Sequence, residues 1–312
     1  MPVKRRFDIR RYTGVAVVVT LVMYLLSTFV FSKVELSLAT VAIGLLIFAA
    51  NAAVVYVTVD FFSLGINHIA PLIFAILALS FPAVALYDSS YLCTLPLNAA
   101  FYICVRFYGG DANNDMAFLY SMLLGMASLM FPPLLWVAVF MLIMNFWMAG
   151  DKLRFIVISV VGFLLPLVVA LSAVYVTGDI RTLMPAMSGY LRDIVMPYPG
   201  LTASSAARVI KILILLVCFV VALVAFFRRN AEYSVSHSHA MILVYSYSAL
   251  ITLIVLVFSY NNFTMNTMLI MVPVSVVLYD YLVWGASDKD CRIALAFTAL
   301  AVVLEYAFFG VK

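Results

Sequence analysis

The residues of this chain that could do chemistry are few and lie far apart. Glu35 and Asp88 are carboxylates in short polar breaks of the N-terminal third. Either could act as general base on an acceptor hydroxyl, or as a metal ligand. Arg181 and Arg192 lie in the longest polar stretch, 177–205. A guanidinium carries a planar fork of donors and suits a phosphate or a sugar acid bidentately. A third set sits inside apolar runs: Asn51, Asp280 and Glu305, with Asn98 and Asn145. A charge at mid-membrane costs at least about 2.5–3.5 kcal/mol. Asp280 and Glu305 therefore read as locally paired or snorkelling groups, or as part of a proton or substrate path.

Other chemistry finds little support. Ser236-His237-Ser238-His239 places two imidazoles one residue apart in a polar loop, but no third ligand is near in sequence, so no metal site is expected. Cys93, Cys104, Cys218 and Cys291 lie in or at the edge of apolar runs and read as small core fillers. Walker, GxSxG, HExxH and GxGxxG patterns are all missing. No cofactor and no nucleotide is expected.

The elements that must position these residues follow from composition. Of the 312 residues 67% are hydrophobic and 10% charged, against roughly 25% charged in a soluble domain. Mean hydropathy is +1.17. A helical span needs about 20 apolar residues, so the composition excludes a soluble enzyme, a disordered chain and a nucleic-acid-binding module. The apolar residues run continuously and do not alternate, which excludes an outer-membrane barrel. Net charge is +4, which in a membrane protein mostly reports topology. The basic N-terminus precedes an apolar run too long for a signal-peptide core, so that run reads as a retained span.

Charges, Gly, Pro and Asn mark off eleven apolar segments: 13–31, 38–59, 69–87, 92–107, 116–130, 132–148, 153–176, 206–227, 240–258, 264–284 and 293–309. The expected fold is an all-α integral membrane protein of about 11 transmembrane helices (10 or 11). It forms one polytopic domain, 1–312, without a soluble domain. A single helix over 116–148 would be about 50 Å long, beyond a hydrocarbon core of about 30 Å. Pro132-Pro133 supplies the break, giving a short fifth and sixth pair.

Eleven spans with the N-terminus inside put Lys4, Arg5, Arg6, Arg10, Arg11, Arg106, Lys152, Arg154, Arg228, Arg229, Lys289 and Arg292 on the cytoplasmic side. Only Lys33, Arg181, Arg192, Arg208, Lys211 and Lys312 fall outside. Counting 116–148 as one span would turn Arg228-Arg229 and the 288–292 cluster outward, against the positive-inside rule. Trp147 and Trp284 then mark an aromatic belt. Ser121 and Gly125 form a small-xxx-small pair suited to close helix contact. Within the outer loop, Leu183, Met187, Leu191 and Ile194 give 180–196 the spacing of an amphipathic surface helix.

The stretch NDMAFLYSMLLGMASLMFPPLLWVAVFMLIMNFWMAGDKLRFIVISVVGFLLP (114–166) joins a small-rich span, a proline break, a second span, a basic turn, and a helix carrying Gly162 and Pro166. With NTMLIMVPVSVVLYDYL (266–282) and its central Pro273, it resembles an uncharacterised multi-span family of Bacteroidota inner-membrane proteins. The layout is similar, more distantly, to polytopic glycosyltransferases that use polyprenyl-phosphate sugar donors. Those enzymes place an essential acid in a sizeable first outer loop. Here that loop is only 32–37, and Glu35 is its sole carboxylate.

Three functions compete. A non-catalytic subunit or assembly factor of cell-envelope biogenesis fits the poverty of polar groups and the lack of motifs. A glycosyltransferase-like protein acting on lipid-linked sugars at the outer face would use Glu35 or Asp88 with Arg181 or Arg192. A transporter or flippase would use the helix breaks with Asp280 and Glu305. The expected location is the bacterial inner membrane. Expected partners are the lipid bilayer and either a polyprenyl-phosphate lipid or other envelope membrane proteins, not nucleic acid.

Overall fold

The computed structural model describes residues 38–62, 69–79, 89–148, 152–177, 180–195, 219–228, 235–258 and 268–282, and these are helical apart from short connections. The helices are α1 (Leu38–Phe61), α2 (Ile69–Leu79), α3 (Ser89–Arg106), α4 (Asn114–Met130), α5 (Leu135–Met148), α6 (Lys152–Thr177) and α7 (Ile180–Val195). They continue with α8 (Phe219–Arg228), α9 (Val235–Phe258) and α10 (Met268–Asp280). The first and eleventh expected segments lie outside the described residues. Three helices are long and apolar enough to cross a membrane: Val41–Phe61, Leu153–Val176 and Ser238–Val255. The expected count of about 11 spans exceeds what the described helices support by length and composition.

The chain divides into two compact units. One comprises Met1–Tyr87, Ala206–Phe226 and Val274–Lys312. In it α1 buries Ile47, Phe48, Asn51, Val55, Thr58 and Val59, and Phe62 just beyond its end is buried too. This three-and-four spacing makes one stripe of the helix. Phe48 meets Phe74 of α2 with ring centroids 5.3 Å apart. The second half of α10 also belongs here, and every residue of α10 is buried, Asp280 included.

The other unit is Asp88–Ser205 with Phe227–Pro273. Its α3 ends in a π-helical turn, Phe107–Asp111, where Gly110 takes φ 122°. An L side chain rarely adopts that backbone, so glycine is the residue that allows the chain to leave α3 here. Asn113 then caps α4, its side chain accepting from the Met116 amide at 2.8 Å. At the other end Phe131 leaves the helical region (φ −136°, ψ 92°), as expected of a residue before proline. Pro132–Leu134 form one 3₁₀ turn before α5 starts. Tyr120 and Asn145, on opposite sides of this break, are hydrogen-bonded, so the chain doubles back. The break is a hairpin corner, not a kink within one helix.

α4 and α6 are packed through glycine on both sides. A Cβ on Gly125 would stand 2.5 Å from the Phe163 carbonyl oxygen, and one on Gly162 would stand 2.6 Å from the Phe118 carbonyl oxygen. Neither position can carry a side chain without moving the two backbones apart. α3 joins this pair through Cys93, whose thiol lies 3.3 Å from the Ala127 carbonyl. α9 lies on α3, with Phe101 and Tyr247 rings 4.9 Å apart and the Tyr247 hydroxyl donating to the Leu97 carbonyl at 3.3 Å. α9 begins at Val235, so Ser236 to His239 are on a helix and not in the loop expected for them.

The outer face of α6 is apolar. Leu164, Leu165, Val168 and Val169 are between 43% and 59% exposed. α7 covers part of this unit as a strongly amphipathic helix, in the place where the spacing predicts one. Its Ile194 is buried and its carbonyl accepts from the Trp136 indole at 3.2 Å. On its flank Met187, Leu191 and Val195 remain exposed.

Candidate functional site

The densest polar arrangement among the described residues lies inside the second unit. It is centred on Asn145 of α5, which is fully buried. Its Oδ1 accepts from the Tyr108 hydroxyl at 2.6 Å and from the Tyr120 hydroxyl at 2.9 Å. Its Nδ2 reaches Tyr120 Oη at 2.6 Å and donates to Ser159 Oγ at 3.0 Å. Tyr120 Oη and Ser159 Oγ are themselves 3.0 Å apart. A carboxamide offers two donors and two acceptor sites, and here all four are engaged by side chains.

Four elements supply this cluster: the π turn (Tyr108), α4 (Tyr120), α5 (Asn145) and α6 (Ser159). Local geometry explains each placement. The turn after α3 aims Tyr108 back at the bundle, and the glycine contacts bring α4 and α6 close enough for Tyr120 and Ser159 to touch. The hairpin corner sets Asn145 opposite Tyr120. Phe107 closes the surround, edge-on to Phe155 at 5.0 Å and to Tyr120 at 5.7 Å. All four polar members are neutral groups, and each bond joins two different segments. Such a network orients helices; it contains no carboxylate, imidazole or ammonium that could move a proton at neutral pH.

Beside the cluster is a cavity of about 160 Å³ between α4, α5 and α6. Tyr120, Ser121 and Ser159 are among its lining residues, but the surface they and the others present to it is wholly apolar. Met141 and Leu124 in its wall are buried, whereas Val139 and Leu164 are more than a third exposed and form its mouth.

The residues expected to carry function are scattered relative to this site. Glu35, Asp88 and Glu305 lie outside the described residues. Asn51 is buried on α1, and Asp280 is buried on α10. Arg181 is in the first turn of α7 and Arg192 in its last turn. Eleven residues of helix set the two positions about 16 Å apart along the axis. Arg192 is two-thirds exposed and lies 3.8 Å from the carboxylate of its neighbour Asp193. Exposed pairs of this kind contribute between about 0 and 1 kcal/mol. Tyr190 of the same helix is half-buried, and that burial raises its phenol pKa. The Ser128 hydroxyl gives its proton to the Gly125 carbonyl at 2.8 Å. No group of three or more His, Cys, Asp or Glu that could hold a metal ion occurs among the described residues.

Asn145 is visible in the sequence as an amide inside an apolar run. Tyr108, Tyr120 and Ser159 are not, because lone hydroxyls are common in such runs. The available signal was indirect: a hairpin at Pro132-Pro133 pairs residue 120 with residue 145.

The chain belongs to DUF6427, a family of unknown function, which matches residues 11–312. No curated protein and no solved structure matches it.

Proposed function

We propose that this DUF6427 member is a multi-pass protein of a bacterial inner membrane and serves as a non-catalytic subunit or assembly factor in cell-envelope biogenesis. One observation carries the reading: the polar side chains of the α4–α6 core are satisfied by each other. Asn145 uses its full hydrogen-bonding capacity on Tyr108, Tyr120 and Ser159, which is how polar side chains hold membrane helices together. The exposed apolar face of α6 adds support. In water it would be an unusually large patch, whereas in lipid it needs no cover. On this reading the chain forms one polytopic domain of about 11 spans with its N-terminus in the cytoplasm, and Asn51, Asp280 and Glu305 make local contacts within it.

A second reading draws on α7. Its amphipathic face and exposed Arg192 would suit a protein that meets lipid-linked sugars at the outer surface. Arg181 and Arg192 would then bind phosphate, with Glu35 or Asp88 as the base.

Extraction from native membranes in mild detergent, followed by native mass spectrometry, separates the two. The subunit reading predicts one or more protein partners at fixed ratio and only phospholipid besides. A retained polyprenyl-phosphate species, together with loss of function in Glu35→Gln or Asp88→Asn, would replace it with the sugar-transfer reading.

A further inference from the structure

We infer that the cleft between α4, α5 and α6 is a binding site for one acyl chain of a membrane phospholipid. This inference rests on the protein being embedded in a membrane, not on its being a subunit of an assembly.

The cleft has the size and chemistry for hydrocarbon. Its volume is about 160 Å³ and its lining surface is wholly apolar. A cavity of about 150 Å³ lined by Leu, Ile and Phe stays free of water and accepts a molecule the size of benzene. A water here would lack the two to four polar partners it needs. Of the hydroxyls among the lining residues, those of Tyr120 and Ser159 already serve Asn145 and each other, and that of Ser121 donates to the Ala117 carbonyl.

The mouth identifies the source of the occupant. Val139 on α5 and Leu164 on α6 line the cleft and are 36% and 47% exposed. On α6 that opening runs directly into the exposed row Leu165, Val168 and Val169. This row is the surface that lipid covers on the membrane reading. The apolar groups present at such a surface in bulk are phospholipid chains. Leaving the cleft empty would forfeit the dispersion contacts of its walls, and a chain segment of about six carbons restores them.

The test uses the full-length protein reconstituted in nanodiscs of phosphatidylethanolamine and phosphatidylglycerol. A phosphatidylglycerol with a mid-chain diazirine is included, and crosslinked residues are mapped by mass spectrometry. Ala138, Leu124 and Met141 line the cleft but are 8%, 1% and 1% exposed, so a chain reaches them only from within. The expected result is labelling of these three that saturates and is competed by unlabelled phospholipid, while Val168 labels without saturating. Ala138→Phe should cut labelling of Leu124 and Met141 at least fivefold and leave Val168 unchanged. Val160→Phe fills the cleft from the opposite wall and should do the same. If neither variant folds, saturation in the unaltered protein still decides.

Labelling at Val168 with none at Met141 or Leu124 would overturn the inference and leave the membrane reading standing. No labelling anywhere, Val168 included, would overturn both. Labelling of the cleft by a photoreactive polyprenyl phosphate but not by phospholipid would overturn the phospholipid assignment.

Discussion

The two ends of the α4–α5–α6 interface are built on opposite principles. Toward Asn145 the three helices enclose four polar side chains whose bonds leave no capacity of the amide unused. Toward Leu135 and Leu142 the same helices leave an apolar cleft. Tyr120 and Ser159 stand at the boundary, with hydroxyls turned to the network and none of their polar surface in the cleft. The difference shows where directional bonding is needed. Helix register must be fixed once, and a compact hydrogen-bonded cluster does it. Elsewhere apolar surface need only be filled, and inside a membrane lipid can supply the filling.

The comparison fails most completely if the close approach that both ends depend on is removed. Gly162→Leu pushes a side chain into the Phe118 carbonyl and must force α4 from α6. The expected loss is about 3 kcal/mol or more, read as the absence of a monodisperse folded peak on size exclusion in mild detergent. Asn145→Leu removes only the polar end. It strands the Tyr108 hydroxyl and leaves Tyr120 and Ser159 only each other, and a loss of about 2 kcal/mol is expected, measured by thermal unfolding in the same detergent. If Asn145→Leu is as stable as the parent, the cluster does not fix the helices.

Two smaller changes sharpen the contrast. Trp136→Phe deletes the indole bond to the Ile194 carbonyl and should cost about 1 kcal/mol locally. Hydrogen exchange should then accelerate in α7 and not in α4. Ser159→Ala removes one acceptor from the rim of the cluster while Tyr120 and Tyr108 still hold Asn145. A loss near 0.6 kcal/mol is expected, resolved by comparing unfolding midpoints with Asn145→Leu.

Much of this arrangement was legible in the sequence, and the reasons differ by residue. Pro132-Pro133 announced the corner because proline both removes a donor and constrains the residue before it. Leu183, Met187, Leu191 and Ile194 announced α7 by spacing. Ser121 and Gly125 pointed to a close helix contact, but only the fold shows that Gly162 answers from the other side. The start of α9 was misplaced because Ser and His between apolar residues look like a loop, whereas four polar residues fit within one helical turn. The polar cluster was only partly legible. An asparagine in an apolar run is conspicuous, but its partners lie up to 37 residues from it, and nothing in their local sequence distinguishes them from other hydroxyls. The expected carboxylates at Glu35 and Asp88 fall outside the described residues, and Arg181 and Arg192 prove to occupy the two ends of one helix.

The account rests on the Asn145 cluster acting as a structural clasp. A double-mutant cycle with Tyr120→Phe and Asn145→Leu, measured by reversible unfolding in mixed micelles, tests this most directly. A coupling energy of about 1 kcal/mol or more between the two positions is predicted. Strictly additive losses, with coupling indistinguishable from zero, would contradict it.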